Sequence, residues 1–163
     1  TSLGRVVVAG TARGLCMVAF DDGETMETHL RRRFPNATRE QAAEGVAGLA
    51  SGVATAIETP LDAPTLPIDP EGTVFERRVW TALREIPVGE TRTYGELAAA
   101  MGQPTAARAV ARACAKNTIA VVVPCHRVVR ASRALGGYRW GVDRKRALIT
   151  RERIPNPRDV VTA

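Results

Sequence analysis

The chain has 163 residues, 45% of them hydrophobic and 25% charged, which is the balance of an ordinary folded protein. No apolar run approaches the roughly 20 residues that a membrane-spanning helix needs, so the composition excludes an integral membrane protein. The formal net charge is +6, and almost every basic residue is an arginine. Arginine binds phosphates and stacks on bases, so this charge favours nucleic acid as the partner, although an ordinary solvated surface would share it.

The cysteines and the start of the chain indicate the compartment. The three cysteines, Cys16, Cys114 and Cys125, form an odd and scattered set, which is typical of free thiols in a reducing environment. With only His29 and His126 beside them, the sequence shows no metal-binding spacing. The first residues lack the regions of a secretory signal as well as an initiator methionine. We therefore expect a cytoplasmic protein, processed or excised from a precursor, with no metal site.

The N-terminal third of the sequence predicts two strands and then two helices. Two apolar runs, residues 5–10 and 15–20, are joined by a short turn and predict a hairpin. Residues 26–34 predict a short helix that ends before a proline. Residues 40–57 predict an alanine-rich helix with apolar residues near helical spacing. Strands followed by helices indicate a small α/β domain over residues 1–66.

A proline-rich stretch at about residues 59–72 separates this part from the rest. Proline removes backbone donors and disfavours helix before it, so the stretch is expected to be a linker or an extended crossing segment. Beyond it, Thr73 and Glu76 fit a capping box and predict the start of a helix. A second domain is expected to cover residues 73–155, followed by a tail at residues 156–163.

Two short helices with a glycine-containing turn follow. Thr93 and Glu96 fit another capping box, and residues 106–116 predict the next helix. This is the outline of a helix-turn-helix, although an ordinary helical hairpin shares it. The second helix is slim because alanine dominates it, interrupted by arginines such as Arg108. A slim helix can approach a widened minor groove, but alanine is also simply the best helix former.

Cys125 stands after a buried apolar run, residues 119–123, and a proline that restrains the backbone. A nucleophile must be held in place, and a thiol must be activated because a free cysteine has a pKa of about 8.5. His126 is adjacent in sequence, but neighbouring side chains usually diverge, so a bridging water or a local turn would have to couple them. The alternative is a cysteine that serves as a small buried hydrophobic residue.

These segments resemble the O6-alkylguanine-DNA alkyltransferases, also called methylated-DNA–protein-cysteine methyltransferases. Residues 124–128 (PCHRV) resemble the active-site motif of that family, and the likeness continues at residues 93–98 (TYGELA), 107–110 (ARAV) and 136–141 (GGYRWG). The likeness is strong over residues 72–152, whereas the N-terminal part matches mainly in layout. The chain is similar in particular to the C-terminal repair half of the bacterial Ada-type proteins.

The resemblance implies an α+β fold, with a small RNase H-like α/β domain at the N-terminus and a helical C-terminal domain containing a helix-turn-helix. It implies a monomer that binds double-stranded DNA containing O6-alkylguanine from the minor groove and flips the damaged base out. The alkyl group, from O6-alkylguanine or O4-alkylthymine, would move irreversibly to Cys125 in a single turnover. This step would need neither a metal nor an organic cofactor.

The resemblance also implies the catalytic residues. Cys125 would accept the alkyl group, His126 would act as its base through a bridging water, and Glu152 would orient the imidazole. Asn117 would hold the turn between the recognition helix and the active site. Tyr94 would turn the phosphate and donate its hydroxyl proton to guanine N3 as the base leaves.

Further residues would contact DNA and the flipped base. Arg108 would fill the space in the stack that the flipped nucleotide vacates. The other implied DNA contacts are Thr93, Tyr94, Ala107 and Ala109. The implied pocket around the base consists of Val128, Gly136, Tyr138, Arg139 and Trp140. Within it, the Val128 carbonyl and backbone N–H groups near Tyr138 would bind the guanine edges, and the bulky Trp140 would disfavour a benzyl group.

Two other functions are compatible with the residues alone. A non-catalytic helix-turn-helix module would bind plain and alkylated duplex alike and leave Cys125 unmodified. A Cys-His hydrolase would turn over an ester or amide repeatedly, whereas an alkyl acceptor reacts once. The sequence has no evident oxyanion-hole motif, which weighs against the hydrolase, and Cys125 distinguishes the chain from alkyltransferase-like relatives that lack this cysteine.

Overall fold

The structure is a computed structural model that describes residues 1–21, 23, 26–38 and 44–153. The strands are β1 (Val6–Thr11), β2 (Gly14–Phe20), β3 (Arg92–Thr93) and β4 (Val128–Val129). The helices are α1 (Met26–Arg33), α2 (Glu44–Glu58), α3 (Val74–Arg84), α4 (Tyr94–Ala100), α5 (Ala107–Ala115) and α6 (Val142–Arg153). This mixture agrees with the expected α+β class. Residues 40–43 of the predicted second helix and the predicted tail lie outside the described residues.

Within the described ranges, no helix has the length and apolar character needed to cross a bilayer.

The predicted hairpin is present, with β1 antiparallel to β2 and Val6 opposite Phe20. A register shift between Ala9 and Gly10 interrupts the pairing near the turn. Every residue of β2 is buried, whereas β1 is only half-buried. Burying one large apolar side chain contributes roughly 1.5–3 kcal/mol, so β2 is a central element of the core.

The proline-rich stretch runs along β2. The Leu15 N–H donates to the Pro67 carbonyl at 2.9 Å, and the Asp69 N–H donates to the Leu15 carbonyl at 2.7 Å. Gly14 permits this close approach, because a Cβ there would lie 2.6 Å from the Pro67 carbonyl group and its φ is +142°. At this point the stretch is therefore an extended crossing segment whose backbone pairs with the hairpin.

The hairpin also supports the segment that leads to Cys125. The Val18 N–H donates to the Thr118 carbonyl at 2.9 Å, and the Ala120 N–H donates to the Val18 carbonyl at 2.9 Å. One hydrophobic core consequently spans both halves of the chain. Its members from the two halves include Phe20, Ile57, Trp80, Leu83, Ile119 and Val123. The surroundings of Cys125 thus depend on the N-terminal hairpin as well as on the helices.

Both predicted capping boxes are present, at Thr73 with Glu76 and at Thr93 with Glu96. Each N-cap contributes about 1 kcal/mol, which helps to fix where α3 and α4 begin. The Trp80 indole N–H donates to the Ala113 carbonyl at 2.9 Å and joins α3 to α5. The short parallel pair of β3 and β4 then brings the start of α4 beside the segment after Cys125.

Candidate active site

Cys125 begins a 3-10 turn and is 7% exposed. The side-chain amide of Asn117 donates to the Cys125 Sγ at 3.2 Å and to the Val123 carbonyl at 2.9 Å. The Asn117 Oδ1 accepts the Ile119 N–H at 2.9 Å. The amide therefore joins the end of α5, the turn that follows it and the thiol, and the thiol is held in one place.

The apolar run before Cys125 is buried, as predicted, and it turns sharply. The Val122 N–H donates to the Ala120 carbonyl at 2.7 Å, and Val121 between them has a φ of +68°. A β-branched residue rarely adopts this left-handed conformation, which costs about 1–3 kcal/mol. Burial of the run in the core offsets that cost, and the turn directs Cys125 toward Asn117.

His126, Arg127 and Glu152 form a buried ionic group beside the thiol. The His126 Nε2 and the Glu152 Oε1 lie 2.7 Å apart, with the two side chains 0% and 4% exposed. The Arg127 Nε donates to both Glu152 oxygens, at 3.0 and 3.2 Å. The Arg127 Nη1 also donates to the Ile86 carbonyl at 2.6 Å. The 3-10 turn after Cys125 thus directs two consecutive side chains onto α6.

The protonation states follow from burial and from the fixed charge of Arg127. Burial would raise the pKa of Glu152, but the hydrogen bonds of His126 and Arg127 and the charge of Arg127 outweigh it and hold the pKa at about 2. Burial lowers the pKa of His126, so the imidazole is neutral at pH 7. An ionised carboxylate next to Nε2 assigns the imidazole proton to that nitrogen and leaves the Nδ1 lone pair free to accept a proton.

The thiol is protonated at rest. Burial raises the pKa of Cys125, while the hydrogen bond from Asn117 and the charge of Lys145 oppose that rise. Lys145 is itself 0% exposed, and its Nζ donates to the Val128 carbonyl at 2.6 Å and to the Gly137 carbonyl at 3.4 Å. This buried cation therefore joins α6 to the segment after Cys125 and to the loop of residues 136–141.

That loop carries the aromatic side chains predicted for the pocket. The Tyr138 ring meets the edge of the His126 ring with the centroids 6.4 Å apart, and the Trp140 ring packs at 5.2 Å from Tyr138 and 6.4 Å from Phe20. Within the described ranges, the buried His126 Nδ1 and Tyr138 hydroxyl have no hydrogen-bond partner. Both polar atoms are therefore free to bind further groups.

The residues predicted to contact DNA lie along α4 and α5. Arg108 is exposed on the first turn of α5, between the half-buried Ala107 and Ala109. Thr93 is buried and its hydroxyl oxygen accepts the Glu96 N–H, so its side chain caps α4. Tyr94 is half-buried and packs against the core cluster that includes Cys125, and burial raises its pKa. The structure therefore brings Tyr94 to the site and leaves Arg108 on the outer surface.

Comparison with known proteins decides the family. Residues 74–154 match the model for the DNA-binding domain of 6-O-methylguanine DNA methyltransferase. The fold also matches the crystal structure of Mycobacterium tuberculosis OGT in complex with DNA, with a TM-score of 0.78 and 38% identity. This match covers 94% of this chain and 89% of that one. The chain belongs to the O6-methylguanine-DNA methyltransferase family.

Two curated members of the methyltransferase family show how much of a relative the chain represents. It is 46% identical to the bifunctional transcriptional activator/DNA repair enzyme Ada of Escherichia coli over 159 residues, which are 92% of this chain and 43% of Ada. It is 56% identical to the methylated-DNA–protein-cysteine methyltransferase of Mycolicibacterium paratuberculosis over 90 residues, covering 55% of this chain and 54% of that protein. The chain thus spans about half the length of these relatives, and the Ada-type resemblance is confirmed.

Arg127 and Lys145 are two members of the candidate site that were not predicted from the sequence. Arg127 directly precedes two valines, and a buried cation requires partners, so the sequence held a hint of Arg127. It held none of Lys145, which stands between two arginines. Glu152, the carboxylate that pairs with Arg127, lies 25 residues away from it, and the Val128 carbonyl lies 17 residues from Lys145. In the described part of the chain, no group of three or more His, Cys, Asp or Glu side chains could hold a metal ion.

Proposed function

We propose that the chain transfers the alkyl group of O6-alkylguanine, and of O4-alkylthymine, in duplex DNA to Cys125. The observation that carries the proposal is the buried thiol, held by Asn117, beside the buried pair of His126 and Glu152. The sulfur would form a bond to the alkyl carbon while the bond from that carbon to O6 breaks. The product is a thioether, which thiol exchange cannot reverse, so each protein molecule would react once.

The protons in this reaction have defined donors and acceptors. The Cys125 proton would pass through one water to the free His126 Nδ1, and the carboxylate of Glu152 would stabilise the imidazolium that forms. The departing guanine would take a proton at N3 from the Tyr94 hydroxyl. Tyr138 would form a wall of the pocket, and the Val128 carbonyl, fixed by Lys145, would bind an edge of the base.

The DNA-binding elements and the division into domains are part of the same proposal. We propose that α4 and α5 act as a helix-turn-helix that enters the minor groove, and that the N-terminal part is a small RNase H-like domain. The partner would be double-stranded DNA containing O6-alkylguanine, bound by a monomer in the cytoplasm. The domain limits would be residues 1–66 and 73–155. The relative from M. tuberculosis crystallised with DNA supports this partner.

The direct test is an intact mass measurement after incubation with duplex that contains O6-methylguanine. We expect a gain of one CH2 unit per molecule, located by peptide mapping on the peptide that contains Cys125. Repeated hydrolysis of an ester or amide with an unmodified thiol would instead show a hydrolase. Equal binding of plain and alkylated duplex, again with an unmodified thiol, would show a non-catalytic DNA-binding module.

Arg108→Ala should slow repair of duplex by about 10- to 100-fold and leave reaction with the free O6-methylguanine base unchanged. Only the duplex requires flipping, which costs a few kcal/mol when nothing fills the vacated stack. Single-turnover rates on the two substrates measure the difference. The matched control is Arg112→Ala, since Arg112 is an exposed arginine in the last turn of the same helix. Equal losses on both substrates would make Arg108 a structural residue.

The protein should react about 100-fold more slowly with O6-benzylguanine than with O6-methylguanine. The larger benzyl group would shift the reacting carbon relative to the sulfur, and a shift of about 1 Å lowers the rate of such a reaction about 100-fold. The Trp140 ring is packed between Tyr138 and Phe20, so it holds the pocket wall rigidly. Trp140→Gly should reduce the difference between the rates with the methyl and benzyl compounds, and Trp140→Phe should reduce it less. Second-order inactivation rates on the three proteins provide the measurement. A benzyl rate equal to the methyl rate in the unsubstituted protein would contradict the steric argument.

A further inference from the structure

Arg130 is the first residue after β4, and the pairing of β3 with β4 determines its neighbour. The two strands run parallel with Thr93 opposite Val129. Tyr94 directly follows Thr93, and Arg130 directly follows Val129. Arg130 therefore lies at the end of the sheet where α4 begins, beside the tyrosine that is proposed to turn the phosphate.

The Arg130 side chain lies across the pocket loop. Its Cγ and Nε are 3.2 and 3.4 Å from the position that a Cβ on Gly136 would occupy, and Gly136 has a φ of +69°. The charge of Arg130 opposes the rise that burial causes in the pKa of Tyr94, and it adds to the burial that lowers the pKa of Lys145. Arg130 and Lys145 therefore both lie against the pocket loop, at Gly136 and Gly137.

The positive charge at this point is not compensated. Arg130 is exposed, and among the residues that the structure describes no carboxylate forms an ion pair with it. Its neighbour Arg133, by contrast, is paired with Glu96 at 2.6 Å. The buried Lys145 behind it donates to two carbonyl groups. Two nearby cations repel each other, and an anion between the guanidinium and the tyrosine hydroxyl would relieve that repulsion.

We propose that Arg130 binds a backbone phosphate of the DNA strand that carries the extruded nucleotide. A guanidinium can donate two parallel hydrogen bonds to one phosphate, which fixes its orientation as well as its distance. With Tyr94, it would hold the rotated phosphate while the base occupies the pocket. Arg130 is then a positioning residue for the DNA and takes no part in forming the thiolate. The inference rests on the proposed function, since it takes alkylated DNA as the ligand.

The binding test uses a Cys125→Ser background, so that duplex containing O6-methylguanine is bound without being consumed. Adding Arg130→Ala should reduce the steepness of the plot of log binding constant against log salt concentration by about 0.9, because one phosphate contact is lost. Adding Arg130→Lys should keep the slope. The control is Arg31→Ala on α1, which removes the same charge from a pair with Glu27 and should leave the slope unchanged.

The kinetic test uses Arg130→Ala with Cys125 intact. Reaction with alkylated duplex at limiting protein concentration should fall about 10-fold, a loss of about 1.4 kcal/mol, while reaction with the free O6-methylguanine base stays the same. The proposal would be overturned if Arg130→Ala gave the same salt slope as Arg31→Ala, or if it slowed reaction with the free base as much as reaction with duplex. If the unsubstituted protein gained no methyl group, the proposed function would fail, but the slope would still decide the phosphate contact.

Discussion

The Cys125→Ser variant is expected to bind alkylated duplex as tightly as the original protein and to accept no alkyl group from it. Serine has nearly the size of cysteine, so the hydrogen bond from Asn117 and the packing around the turn can persist. A hydroxyl is far harder to ionise than a thiol, and a neutral imidazole such as His126 cannot deprotonate it to a useful extent. Loss of a nucleophile in other enzymes lowers the rate on the order of a million-fold.

Intact mass after a long incubation measures the loss, and a filter or fluorescence assay measures binding. The matched control is Cys114→Ser, because Cys114 is also buried and burial raises its pKa strongly, so it should be inert. That variant should take up one methyl group as the original protein does. A methyl group found on Cys114 or Cys16 of the original protein would remove the assignment of Cys125 as the acceptor.

Features that depend on neighbours in the sequence could be predicted. The hairpin follows from two β-branched runs with a short turn, and the two capping boxes follow from Thr and Glu three positions apart. The family followed from a run of motifs in a fixed order. The role of Asn117 in the turn before the active site was expected only through the resemblance. Its hydrogen bond to the Cys125 thiol was not expected, since eight residues and a sharp turn separate the two.

Features that depend on distant residues could not be predicted. Nothing near Lys145 in the sequence shows that it will donate to the Val128 carbonyl, because α6 must first pack on β4. The left-handed conformation of Val121 goes against its own preference and is imposed by the core around it. The proline-rich stretch allowed two interpretations, and only its hydrogen bonds to Leu15 distinguish them. Tertiary packing decided each of these cases.

The Glu152→Gln variant is expected to be less stable by about 3 kcal/mol at pH 7, the usual cost of removing one partner of a buried ion pair. Glutamine has the same shape, so the His126 Nε2–H can still donate to its oxygen. Arg127, only 11% exposed, would lose its counter-ion and remain a buried charge. The control is Glu27→Gln, whose exposed pair with Arg31 should contribute well under 1 kcal/mol.

The same variant should show a different dependence of stability on pH. The pKa of Glu152 is about 2 in the folded protein against an ordinary 4.5, so its ionised form stabilises the fold above pH 4.5. That contribution is lost as the pH falls from 4.5 towards 2. Glutamine cannot titrate, so the difference in unfolding free energy between the two proteins should be full at pH 7 and should shrink towards pH 2.

Urea unfolding of both proteins at pH 7 and at pH 3 measures this change. Glu152→Gln should also slow alkyl transfer about 100-fold on duplex and free base alike, because a neutral amide stabilises the His126 imidazolium far less than a carboxylate does. An equal loss on both substrates would distinguish it from Arg108→Ala, which should affect duplex alone. If the stability difference were the same at both pH values, the Glu152 carboxylate would not be the ionised partner of Arg127, and the proton relay built on it would fail.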